Sequence, residues 1–72
     1  MTEHVYKQID LVGSSSVSSD DAVHKALERA SRTLKHVDWF EVTETRGHVK
    51  DGKVAHWQVA IRVGMRLEDS AG

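Results

Sequence analysis

Trp39 and Phe40 are the residues from which chemistry could start. They stand side by side in Asp38-Trp39-Phe40-Glu41-Val42-Thr43-Glu44-Thr45-Arg46-Gly47, where aromatic and β-branched residues alternate with polar ones. That pattern is a β-strand. Strand neighbours point to opposite faces, so one aromatic is core and the other faces out. An outward indole either packs into a subunit interface or stacks on a flat ligand. Gln58 adds an amide that both donates and accepts, and Arg66 adds a fixed positive charge. Five histidines (His4, His24, His36, His48 and His56) carry acid–base potential. His24 and His36 are twelve residues apart, not at the i,i+4 spacing of a helical zinc pair. His48 and His56 fall near a hairpin tip and read as solvated polar residues. No Ser–His–Asp order, Gly-rich phosphate loop or paired carboxylates emerges.

The elements that must position these side chains are legible. Val5 to Val12 is a strand candidate, ended by Gly13 and the turn-forming run Ser14-Ser15-Ser16. Ser19 suits a helix N-cap, with Asp20 and Asp21 where the dipole favours negative charge. Ala22, Val23, Ala26, Leu27, Ala30, Thr33, Leu34 and Val37 then recur at helical spacing, which predicts a helix over residues 20–36. A second strand runs from Val37 or Asp38 to Val49. Lys50-Asp51-Gly52-Lys53 is a hairpin turn with Asp-Gly at its centre. The third strand, Val54 to Leu67, alternates cleanly: Trp57, Val59, Ile61, Val63 and Met65 on one parity, Gln58, Ala60, Arg62, Gly64 and Arg66 on the other. Asp69 to Gly72 is a polar tail, expected to be disordered.

A two-residue Asp51-Gly52 loop makes paired residues sum to 103. Phe40 then faces Val63, Val42 faces Ile61 and Glu44 faces Val59 on the apolar side. Glu41 meets Arg62, Thr43 meets Ala60 and Thr45 meets Gln58 on the other. Phe40 is thereby core, and Trp39 points away from the helix, opposite Gly64. The same register puts Arg46 on the inner parity opposite Trp57, and His48 two pairs from His56. Gln58 lies six residues from Gly64, roughly 20 Å along a strand. One small ring touched by both Trp39 and Gln58 must take them from different subunits.

Composition narrows the classes. The 72 residues make one domain, residues 1–72, with no Cys and no Pro. Ten basic and eleven acidic residues give a net charge of -1, which argues against nucleic acid as the partner. No apolar run reaches the ~20 residues of a membrane span, and the N-terminus lacks the pattern of a signal peptide. The chain reads as cytoplasmic. A core this small supplies only ~3–5 kcal/mol, so oligomerisation is the natural further source of stability.

Val5-Tyr6-Lys7, Leu11-Val12-Gly13, Trp39-Phe40-Glu41-Val42, Arg46-Gly47, Gln58-Val59 and Val63-Gly64 with Arg66-Leu67-Glu68 together resemble the dodecin family, in collinear order over about residues 5–68. The resemblance implies an α+β fold of β-α-β-β order, a three-stranded antiparallel sheet wrapped around one helix, and a hollow homododecamer. It implies flavin storage or buffering, not enzymatic turnover. The ligand is FMN, riboflavin or FAD, bound in pairs between subunits, and bacterial members also bind coenzyme A. Carried over, Trp39 stacks on the isoalloxazine and Gln58 bonds its polar edge. Arg66, with Lys7, Arg29 and Lys35, handles phosphates, and Arg46, Thr33 and Asp38 complete the implied ligand set. Met65 stands where many relatives have Phe. Two other classes compete: an oligomeric interaction module with no flavin role, and a flavin-dependent redox enzyme.

Overall fold

The structure, a computed structural model, describes residues 3–68; the polar tail that begins at Asp69 lies outside them. Four elements follow in order: β1 (Tyr6–Ser15), α1 (Ser19–Ala30), β2 (Val37–Lys50) and β3 (Lys53–Arg66). The sheet is antiparallel with strand order β1-β3-β2, so β3 is central. The α+β, β-α-β-β expectation holds.

Alternation along β3 builds the core. Val59, Ile61 and Val63 are buried on one face with Ala22 of the helix, and Ile9, Leu11, Val23, Ala26, Leu27, Leu34 and Val37 pack around them. The helix lies over β1 and β3. Phe40 and Val42 share its side of the sheet, opposite Val63 and Ile61 as expected. They sit on β2, beyond the helix, and Phe40 remains 45% exposed. Phe40 therefore has the core parity without core burial.

Three boundaries differ from expectation. β1 does not stop at Gly13: Gly13, Ser14 and Ser15 continue to pair with Val59, Gln58 and Trp57. The N-cap is Ser18, not Ser19; its Oγ accepts from the Asp21 N–H at 3.0 Å. The helix ends at Ala30, not near residue 36. Ser31 is the reason, since its Oγ donates to the Glu28 carbonyl at 2.9 Å and competes with the helical ladder. His36, expected in the last helical turn, instead adopts a left-handed φ of 61° and turns the chain into β2. Leu34 and Val37 still reach the core, from the loop and the strand.

Ser15 ties the end of β1 to the start of α1. It is 4% exposed. Its Oγ donates to Asp21 Oδ2 at 2.6 Å and accepts from the Val17 N–H at 2.9 Å. That hydrogen bond, with Lys25 one turn on, holds the Asp21 carboxyl below its ordinary pKa. A lowered folded-state pKa means that this contribution is full above the ordinary carboxylate range and is lost as pH falls through the lowered value. Ser15→Ala should therefore lower stability near neutral pH, because a buried hydroxyl loses its bonds to Asp21 and to the Val17 N–H. It should also flatten the acid limb of the stability profile. Urea midpoints from neutral to acid pH check both.

Candidate functional site

The face of the sheet away from the helix carries the candidate residues. In a regular strand Val37 and Trp39 would point the same way. A β-bulge at Asp38 separates them: Val37 pairs with Met65, but Trp39 pairs with Gly64. The bulge keeps Val37 and Phe40 on the helix side and sends Trp39 to the outer face.

There the indole lies directly over Gly64. A Cβ at that position would stand 2.0 Å from Trp39 Cε2 and 2.2 Å from Cζ2. Only glycine lets the ring settle on the strand. Tyr6, on the same face of β1 and opposite Arg66, meets the indole edge-on, with ring centroids 5.9 Å apart. The result is a half-buried aromatic platform, backed by the sheet and steadied at one side. Tyr6 had the outer parity in the sequence, but the β1–β3 register that brings it to Trp39 was not encoded in any local turn. Arg66 follows Gly64 on this face and supplies a cation.

A second cluster lies further along the same face. Arg46 pairs with Gln58 across β2 and β3, its Nη1 donating to Gln58 Oε1 at 3.3 Å. Glu44 takes the other guanidinium nitrogen in an ion pair. The cause is another bulge. Thr43 is an extra residue on β2, so pairs sum to 104 from Glu44 to His48. Glu44 faces Ala60, not Val59, and a carboxylate is spared the apolar side. Thr45 moves inward opposite Val59 instead of meeting Gln58. Thr43 is not a register partner of Ala60, although its hydroxyl donates to the Ala60 carbonyl at 3.1 Å. Arg46 joins Gln58 on the outer face, contrary to the inner position read from the constant register. His48 pairs directly with His56, where a two-pair separation was expected.

Between the clusters Arg62 fastens three strands, with Nε bonded to Asp10 Oδ1 at 2.9 Å and Nη1 3.9 Å from Glu41. The expected Glu41–Arg62 pair is present, but Asp10 is the closer partner. It raises the already high pKa of the guanidinium.

The remaining candidates lie elsewhere. Lys7 has the parity of Ile9 and Leu11 and pairs with Met65, on the helix side. Arg29, in the last helical turn, lines a groove against β1 with Lys25, Leu11 and Ser14. Thr33 and Lys35 are exposed in the loop after the helix. Asp38 lines a shallow hollow with Trp39, Phe40, Leu27 and Ser31 at the β2 edge. Trp39, Arg66, Arg46 and Gln58 thus share a face, while Lys7, Arg29, Thr33 and Lys35 do not. Among the described residues no three His, Asp or Glu side chains converge as a metal group, and no helix is long and apolar enough to cross a membrane.

This layout recurs in known proteins. The family model described as Dodecin matches residues 5–68. A dodecin of Thermus thermophilus is 47% identical over 66 residues, which is 92% of this chain and 96% of that one. The solved dodecin of Streptomyces coelicolor superposes with a TM-score of 0.89 at 51% identity, covering 97% of this chain and 100% of its own. That of Streptomyces davaonensis gives 0.88 at 47% identity, covering 94% and 100%. A sheet folded over one helix, matched along nearly its whole length in sequence and in space, places this chain in the dodecin family.

Proposed function

We propose that this chain assembles into a hollow homododecamer and sequesters flavin in pairs between Trp39 side chains of neighbouring subunits. The observation that carries the reading is the Trp39 indole seated over Gly64 on the outer face of the sheet. Stacking on a π-face is tolerant of what the ring carries, which fits FMN, FAD and riboflavin alike.

Gln58, steadied by Arg46, offers an amide for the polar edge of the ring. It stands six residues along β3 from Gly64, roughly 20 Å in an extended strand. One flavin therefore takes its tryptophan and its amide from two chains. Arg66, beside the indole, is the cation for a flavin phosphate. The cations absent from this face, Lys7, Arg29 and Lys35, together with Thr33, are the ones left for coenzyme A. Asp38, next to Trp39, borders the stacked ring.

The role is storage and buffering in the cytoplasm, not turnover. An indole against an excited flavin donates an electron to it, which quenches emission and limits photochemistry. A ring covered on both faces leaves no place for a substrate. A redox enzyme would need an open flavin face, and a plain interaction module would bind no flavin at all.

Equilibrium dialysis of FMN against the wild type and Trp39→Ala tests this. Loss of one stacking partner is worth about 2 kcal/mol, so binding should weaken roughly thirtyfold in the variant. Equal binding by the two proteins would leave Trp39 as an interface residue only.

A further inference from the structure

Beyond Arg46 and Gln58 the hairpin continues as a two-stranded ribbon. β1 ends at Ser15, opposite Trp57, so no third strand accompanies the ribbon from His56 to the turn. Two cross-strand pairs follow one another on its outer face. His48 faces His56, with ring centroids 4.3 Å apart and ring planes 19° from parallel. Lys50 faces Lys53 at the turn. A bulge at Ala55 restores the sum of 103 there, and it keeps the lysines on the histidine side. Val54 faces the other way, its Cγ1 3.7 Å from where a Gly47 Cβ would stand.

The lysine pair adds nothing to the stability of the sheet. Like charges directly opposite each other destabilise a strand pair. Two imidazoles in face-to-face contact repel when both are protonated. Among the described residues, none of these four side chains has an ion-pair partner. Glu44, the nearest carboxylate inward, is taken by Arg46. Asp51 lies in the turn, and Gln58 and Ser14 are the neutral neighbours. The helix, on the opposite face, brings no charge to the site.

We propose that the outer face of this ribbon is an anion site, in which His48, His56, Lys50 and Lys53 take a phosphate or pyrophosphate group. Such a group has several acceptor oxygens and can accept from donors on two strands ~4.8 Å apart at once. Its charge offsets the repulsion of the lysine pair and bridges both pairs.

Calorimetric titration of inorganic pyrophosphate into the assembled protein, at one fixed pH, is the test. His48→Gln with His56→Gln, and Lys50→Gln with Lys53→Gln, should each weaken binding at least about tenfold, as loss of a charge-assisted phosphoryl contact does. All four positions lie on an exposed ribbon, and circular dichroism and size-exclusion profiles verify that the fold and assembly persist. A shift in the FMN-to-riboflavin affinity ratio in these variants assigns the phosphate to the flavin nucleotide; an unchanged ratio assigns it to free phosphate or another phosphorylated ligand. Absent pyrophosphate binding, or equal binding by wild type and both double variants, overturns the proposal. The pyrophosphate arm is independent of whether flavin binds.

Discussion

Replacing Gly13 with Ala will lower the stability of the chain by about 3 kcal/mol, the upper part of the range for overpacking a closed site. Gly13 is buried where β1 passes under the helix. A Cβ there would stand 2.1 Å from the Ala22 carbonyl oxygen and 3.0 Å from Ala26 Cβ. The obstructing atoms belong to the helix backbone and to a side chain with no rotamer to change. The whole helix has to lift. It is the lid on Val59, Ile61 and Val63, so lifting it opens the core. Gly47→Ala is the matched control. Its nearest neighbours would be His56 O at 3.5 Å and Val54 Cγ1 at 3.7 Å, ordinary contacts. That change should cost under about 0.5 kcal/mol, because Ala is the better strand residue entropically. Urea unfolding of the two variants side by side reads the difference.

Gly64→Ala will act on binding far more than on folding. The atoms a new methyl meets are Cε2, Cζ2 and Cδ2 of Trp39, the far end of a side chain that can swing away. The sheet then holds while the indole leaves its seat. Flavin affinity should fall roughly thirtyfold, as for loss of the stacking partner itself, with a stability loss of about 1 kcal/mol. Dialysis against FMN and a denaturant titration separate the two effects. Unchanged FMN affinity in this variant would mean that the position of the indole over the glycine is irrelevant to the ligand.

The sequence spoke most clearly where one local device determined the geometry. Asp51 and Gly52 both take positive φ, 53° and 76°, as the two-residue turn requires. Counting outward from that turn places Trp39 opposite Gly64 and Phe40 opposite Val63 correctly. It does so because two bulges cancel. Ala55 adds a residue to β3 near the tip and Thr43 adds one to β2 further in. Between them every pair is shifted by one, and Arg46, Glu44 and His48 change their partners or their face. Neither Thr43 nor Ala55 is a residue type that marks a bulge, so that stretch was not legible. The apolar stripe runs past the helix end because Thr33, Leu34 and Val37 continue it, while the Ser31 hydroxyl bonds locally to the Glu28 carbonyl. The contact of Tyr6 with Trp39 has no local sequence signal, because it depends on a pairing between the first and last strands of the chain.

One titration tests the central claim most directly: FMN added to apoprotein, followed by flavin emission. Stacking against Trp39 predicts loss of emission that saturates at about one flavin per chain, as paired ligands across a two-fold axis require. Flavin emission that stays at its free value through the whole titration would contradict the account.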